Sequence, residues 1–330
     1  ECGLPYLSKE PLDGLKPATR AVPGTYCWGE DLYKKGVRPF SEVAEGRMTV
    51  KEFLAQMTDE EVAHLLGGQP NTGVANTFGW GNMPEYGIPN CMTADGPAGL
   101  RIAPECGVTT TAWPCATLLA ATWNPNVVYQ VGAAGGKEVK ENNIAAWLTP
   151  ALNIHRSPLC GRNFEYYSED PLLAGVLAVA MVKGIQSQGV AATVKHFALN
   201  NKETDRKHSD SRVSERAARE IYLKAFEYVI KGAKPWAVMS SYNIINGCYA
   251  SENKELLEDI LRDEWGFDGM VTTDWWTLGE HYKEVKAGND MKMACGDPKR
   301  LKEAMDQGLL TRQDLEHCAE RVLNLILKLD

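Results

Sequence analysis

Short apolar runs alternate with helix start signals along most of this chain, and that alternation restricts its fold more than any other feature. Strand-like runs lie near residues 88–93, 144–148, 190–195, 236–241, 269–273 and 291–294. Between them stand Asn124-Pro125, Asp170-Pro171, Ser214 before Glu215, and Thr311-x-x-Asp314. Each offers a side-chain oxygen to the free amide hydrogens of a helix's first turn. Upstream, Thr49-x-x-Glu52 and Thr58-x-x-Glu61 read as capping boxes, and Gly67-Gly68 stops the second helix. Strands joined through helices run parallel, so the pattern predicts an α/β fold. Six visible strands plus one or two weaker ones across residues 47–330 suit a (β/α)8 TIM-type barrel, commonly about 250 residues long. A doubly wound open sheet is the alternative, but no Gly-rich phosphate loop follows the first strand. The stretch from Gly132 to Glu138 has the wrong spacing for one, places Glu138 where Ser or Thr is needed, and lies within a helix. Its small residues are read as letting that helix pack closely on the sheet. Residues 1–46, punctuated by Pro5, Pro11, Pro17, Pro23 and Pro39, read as an extended arm or linker.

Composition narrows the partners. A formal net charge of -8 argues against nucleic acid or an anionic membrane. The longest apolar run, residues 172–182, is too short to span a bilayer. The 9 Cys show neither CxxC pairs nor Cys/His zinc spacing, so no metal or other cofactor is expected. Unpaired thiols favour a reducing, cytoplasmic setting. The first residues, Glu1-Cys2-Gly3-Leu4-Pro5, have no starting Met and no signal-peptide core, so the chain reads as a processed product or an excerpt.

Polar residues cluster just past the strand-like runs. Asp95-Gly96-Pro97-Ala98-Gly99-Leu100-Arg101 follows the first. A loop from Asn153 to Glu165, containing Arg162, follows the second. Lys195-His196-Phe197, then Tyr242-Asn243 just beyond Met239, then Asp274-Trp275-Trp276 follow the next three. Each has an ordinary structural explanation. Asp274 suits a helix N-cap, Asp95-Gly96 a tight turn, Arg162 an ion pair with Glu165 or Glu169, and His196 a core position. Five successive strand ends carrying such groups nevertheless describe a polar pocket at one face of a barrel, where barrel chemistry is sited. A carboxylate beside indole rings suits a sugar, whose C–H face stacks on the ring while the acid meets its polar atoms.

These motifs, in order, resemble glycoside hydrolase family 3: Asp95-Gly-Pro-x-Gly-x-Arg101, Gly161-Arg162-Asn-Phe-Glu165 with Ser168-Glu-Asp170-Pro171, Lys195-His196-Phe197, Thr273-Asp274-Trp275, and Ala287-Gly-Asn-Asp-Met291. The resemblance runs from about residue 50 to the end. It implies the family's barrel domain, acting as a retaining exo-glycosidase on a β-linked oligosaccharide or glucoside, most often as a β-glucosidase. It further implies Asp274 as the nucleophile that forms a glycosyl-enzyme. Asp95, with Arg101 in its motif, and Arg162, Lys195 and His196 would hold the hydroxyls of the terminal sugar. Met239 and Tyr242 would line the nucleophile, and Trp275 would stand beside the leaving group. Arg162 and Lys195 should keep nearby carboxylates ionised.

Retaining hydrolysis also needs a general acid about 5–5.5 Å from the nucleophile. In two-domain relatives that acid belongs to a separate α/β sandwich domain, which is the partner expected here. Single-domain β-N-acetylhexosaminidases instead use a His in an Asp-Ser-His loop. Here the stretch reads Arg206-Lys207-His208-Ser209-Asp210, without that order. A complete hexosaminidase using His208 or Glu203, a β-xylosidase, and a non-catalytic sugar-binding barrel remain the alternatives.

Overall fold

The computed structural model describes residues 30–69 and 77–329. Five strands form one curled parallel sheet in chain order: Thr93–Ala94, Ala146–Trp147, Ala191–Phe197, Ala237–Ser240 and Met270–Thr273. Thr93 sits beside Ala146, Ala146 beside Ala191, Thr193 beside Ala237, and Ala237 beside Met270. Parallel bridges from Thr272 to Met291 and from Lys292 to Gly67 carry the curl further. The result is an α/β arc with helices outside it, not a closed ring.

The local signals operate as expected. Both Thr49/Glu52 and Thr58/Glu61 form reciprocal capping boxes, as does Thr311 with Asp314. Asn124 accepts from the amide of Asn126, and Asp170 from that of Leu172. The helices they start, Pro125–Glu141 and Pro171–Gln186, pack side by side outside the sheet, and Lys224–Ala233 lies against the second. All seven residues of Ala191–Phe197 are buried, as befits a parallel strand covered on both faces. A second apolar cluster joins Phe53, Leu54 and Leu65 to Leu315, Leu323 and Ile326 of the C-terminal helix Arg312–Lys328. Residues 172–182 lie in Pro171–Gln186, and no helix of the described residues is long and apolar enough to cross a membrane.

Several expectations need correction. Only Thr93 of the first strand-like run joins the sheet, in the strand Thr93–Ala94. Ile88–Cys91 folds back antiparallel on Trp80–Met83, because Pro84–Tyr86 and Gly87, at φ 68°, make a tight reversal. Of residues 291–294 only Met291 and Lys292 form single bridges and the rest turn away, since the side chain of Asp290 takes an amide of Met270–Thr273 that a neighbouring backbone would otherwise accept. The glycines of Pro125–Glu141 serve two partners. A Cβ on Gly135 would collide with the Trp147 ring of the sheet, whereas one on Gly132 would strike the carbonyl of Met181 on the neighbouring helix. A small three-stranded sheet, Asp210–Ser211, Ile244–Ile245 and Cys248–Tyr249, was not foreseen. Residues 1–29 of the proline-rich arm lie outside the described residues, and residues 30–46 contain a short turn at Glu30–Leu32 and a helix at Ser41–Ala44.

Candidate active site

Parallel register places the C-terminal ends of the five strands at one edge, and a cavity of about 430 Å³ opens there. Asp95, Arg101, Arg162, Lys195, His196, Met239, Tyr242, Asp274 and Trp275 all line it. Asp95 and Asp274 follow directly on Ala94 and Thr273, and Tyr242 comes two residues after Ser240. Lys195 and His196 lie inside their strand rather than past it, because Ala191–Phe197 runs to the cavity edge. Met239 likewise sits within Ala237–Ser240.

Thr77, Leu148, Phe164, Glu165 and Arg206 complete the lining. Of these only Glu165 stood out in the sequence, in the motif of residues 161–165 and as an ion-pair partner for Arg162. Arg206 had a signal, the dense run of charge that follows Lys195-His196. Its guanidinium lies 4.4 Å from the centroid of the Tyr242 ring and pairs with Glu203 at 3.0 Å. Trp275 faces the cavity, whereas Trp276 is 53% exposed and packs edge-on against Phe78.

One side of the cavity is a cation–carboxylate clamp. Lys195 Nζ donates to Asp95 Oδ1 at 2.7 Å, and Arg101 approaches Oδ2 at 3.1 Å. Burial pushes the Asp95 carboxyl up, but the Lys195 charge and hydrogen bond, the Gly96 amide and Arg101 together bring it down to about 2. Asp95 is therefore a permanent acceptor with a fixed orientation. Arg162 is bound to Glu165 through its Nε, an ion pair foreseen from the sequence. Burial works against the Arg162 charge, but Glu165, Tyr166 and Asp274 more than compensate, so it stays a cation.

Asp274 lines the same cavity, and its Oδ1 accepts the amide of Trp275 at 2.7 Å. Among the described residues no group hydrogen-bonds to its buried Oδ2, which lies 3.8 Å from His196 Nε2. Burial raises this carboxyl above the ordinary range, while Arg162, the Trp275 amide, Lys195 and Arg206 oppose the rise. The neighbouring cations lower both acids, but only at Asp95 do they outweigh burial. Burial and the Asp274 charge also keep the Tyr242 phenol protonated, and it donates to the Trp275 carbonyl at 2.6 Å.

His196 is held neutral by burial and by Arg162, Lys195 and Arg206. Its tautomer follows from Asn153. Asn153 Nδ2 donates to the His196 carbonyl at 2.9 Å and its Oδ1 accepts the His196 amide at 3.0 Å, which fixes the side-chain amide. Oδ1 also faces ring Nδ1 at 3.3 Å. An amide oxygen only accepts, so the proton is assigned to Nδ1 and Nε2 keeps its lone pair. Chemically, the cavity offers fixed acceptors at Asp95 and His196, cations at Lys195, Arg162 and Arg206, and one carboxylate oxygen without a protein partner. That set suits a neutral polyol better than an anion, since each of the three cations is already paired with a carboxylate. Among the described residues no group of His, Cys, Asp and Glu has metal-binding geometry.

Comparison with known proteins agrees with these features. The sequence profile of the glycosyl hydrolase family 3 N terminal domain matches residues 82–325. The chain is 65% identical to beta-glucosidase A of Butyrivibrio fibrisolvens over 84% of its own length and 34% of that protein. It is 44% identical to an exo-alpha-(1->6)-L-arabinopyranosidase of Bifidobacterium longum, over 82% of this chain and 36% of the relative. The structure of beta-glucosidase 3B from Thermotoga neapolitana in complex with glucose superposes with a TM-score of 0.81 at 43% identity, covering 86% of this chain and 43% of that one. The chain spans about a third of the length of the curated relatives it matches.

Proposed function

Because the chain belongs to glycoside hydrolase family 3, we propose that it carries the nucleophile and the sugar pocket of a retaining, exo-acting β-glucosidase. In this reading residues 47–330 form the family's (β/α)8 barrel domain and residues 1–46 an arm leading to it. The observation that carries the reading is an unpartnered, buried Asp274 Oδ2 in the same cavity, of about 430 Å³, as a clamp of fixed acceptors and cations. A terminal glucose would lie with its hydroxyls on Asp95, Lys195, Arg162 and His196. Asp274 Oδ2 would then attack the anomeric carbon, because Oδ1 is held by the Trp275 amide and only Oδ2 is free to move toward substrate. A pocket that grips every hydroxyl of one unit leaves no room for further chain, so cleavage removes terminal residues.

The leaving group's proton comes from elsewhere in this proposal. Asp95, brought down to about 2, is ionised at neutral pH, Glu165 is committed to Arg162, and His196 turns a lone pair into the cavity. None is a proton donor. A second domain, such as the curated relatives have length for, would supply the acid. His208 is exposed and paired with Asp205 at 2.8 Å outside the cavity, which speaks against the hexosaminidase alternative. The test is a comparison of initial rates on nitrophenyl β-glucoside, β-xyloside, α-arabinopyranoside and N-acetyl-β-glucosaminide. The β-glucoside should be preferred, and Asp274→Asn should reduce its turnover by roughly 10⁴–10⁶-fold, as removal of a residue acting in a catalytic unit does. Preference for the N-acetylglucosaminide, or near-normal turnover by the variant, would overturn the proposal.

A further inference from the structure

We infer that Asp290, together with its neighbour Asn289, is a positioning device for the Asp274 carboxylate; the inference rests on the reading of Asp274 as nucleophile. The strand Met270–Thr273 pairs on one side with Ala237–Ser240. On its other side, among the described residues, there is no regular strand partner. Asp290 and Met291 both donate their amides to the Val271 carbonyl, at 2.8 and 3.1 Å, and Thr273 donates to the Met291 carbonyl at 2.8 Å. The amide of Val271, which points to that side, donates at 2.7 Å to Asp290 Oδ2. A carboxylate thus replaces a sheet neighbour three residues before Asp274.

That carboxylate is itself fixed from two further directions. Asp290 is 0% exposed, its Oδ2 also accepts Arg262 Nη2 at 2.7 Å, and its Oδ1 accepts Arg321 Nη1 at 3.0 Å. Arg262 donates its other terminal nitrogen to the Gly269 carbonyl at 2.9 Å, at the start of the same strand. Arg321 reaches in from the helix Arg312–Lys328 and also binds Glu258 at 2.9 Å. Charge-assisted bonds are roughly twice as strong as neutral ones, so they hold the strand along its axis more firmly than a neutral ladder would. At the cavity end, Asn289 Oδ1 accepts the Ser240 hydroxyl at 2.9 Å, and the Ser240 carbonyl accepts the Asp274 amide at 3.0 Å. The segment is shaped for this contact. Gly288 has φ +87°, and a Cβ there would collide with the Glu258 carboxyl.

Neither Asp290 nor Asn289 lines the cavity, and Asp95, Arg162, Lys195 and His196 come from other parts of the sheet edge. Disturbing the device should therefore move the nucleophile while leaving the grip on the sugar unchanged. The experiment measures, on the full-length protein, the rate of covalent labelling by 2,4-dinitrophenyl 2-deoxy-2-fluoro-β-glucoside and, separately, the inhibition constant for glucose. Asp290→Asn should slow labelling by about 10²-fold, the scale of a misplacement near 1 Å. Ser240→Ala removes one neutral hydrogen bond from a small buried side chain and should slow labelling about five-fold. In both, glucose should bind within twofold of wild type. If Asp290→Asn does not fold, Ser240→Ala decides alone. Labelling at the wild-type rate in a folded variant, or labelling and glucose binding lost in parallel, overturns the inference. A wild-type protein that is not labelled on Asp274 overturns the nucleophile reading itself, and this inference with it.

Discussion

Replacing Lys195 by methionine should destabilise the fold by about 2–3 kcal/mol at pH 7, and nearly all of that should act through Asp95. The Lys195 side chain is 3% exposed and that of Asp95 29%, so water screens the pair only partly. Burial raises the Asp95 carboxyl, yet with Lys195 as the largest opposing influence it lies at about 2 against an ordinary 3.8. A difference of about two pH units corresponds to about 2–3 kcal/mol. Methionine keeps most of the volume but removes the charge and the 2.7 Å hydrogen bond, leaving Arg101 and the Gly96 amide as the remaining support. The sign is that of a depressed acid. The stabilisation is complete above about pH 4 and is lost as pH falls from 3.8 toward about 2. Urea denaturation of wild type, Lys195→Met, Asp95→Asn and the double variant gives the coupling directly. A coupling of about 2 kcal/mol at pH 7, reduced by roughly half at pH 3, is expected. Additive effects at pH 7, within about 0.5 kcal/mol, would refute the reasoning.

Four further outcomes follow from the same geometry. The rate of covalent labelling should fall at low pH with a midpoint above 3.8, because burial raises Asp274 and only its ionised form attacks. Arg162→Met, which removes the largest opposing charge, should move that midpoint to higher pH; an unmoved midpoint in a pH series contradicts the assignment. Gly288→Ala should lower stability by at least about 1–2 kcal/mol, the cost of a left-handed alanine, on top of its collision with Glu258, and thermal denaturation checks this. His208→Ala should leave the ratio of alkyl- to nitrophenyl-glucoside cleavage rates unchanged, since His208 lies outside the cavity. A selective loss of alkyl glucoside cleavage would make His208 a proton donor.

Much of this architecture was legible because local chemistry and tertiary position coincide. Thr49, Thr58 and Thr311 cap helices whichever fold surrounds them, and a parallel sheet fixes one edge for whatever follows each strand. Asp95 and Asp274 could therefore be placed together from sequence order alone. Pairings across long separations could not. Lys195 meets Asp95 across 100 residues, and Arg206 reaches the cavity from a loop whose path no periodicity reveals. The run at 291–294 misled for a physical reason. It reads as strand-like, but it turns after Lys292, and Asp290 takes over part of its backbone pairing. The run at 88–93 misled because Gly87 permits a reversal that apolar pattern cannot report.

The central claim is that Asp274 Oδ2 forms the covalent bond to the sugar. Trapping the protein with a 2-deoxy-2-fluoro-β-glucoside, digesting it and sequencing the modified peptide by mass spectrometry tests this most directly. The account predicts one fluoroglucosyl group, carried by Asp274 within the stretch that follows Met270–Thr273. A label on Asp95 or Glu165, or turnover that continues with no label on any carboxylate, would contradict it.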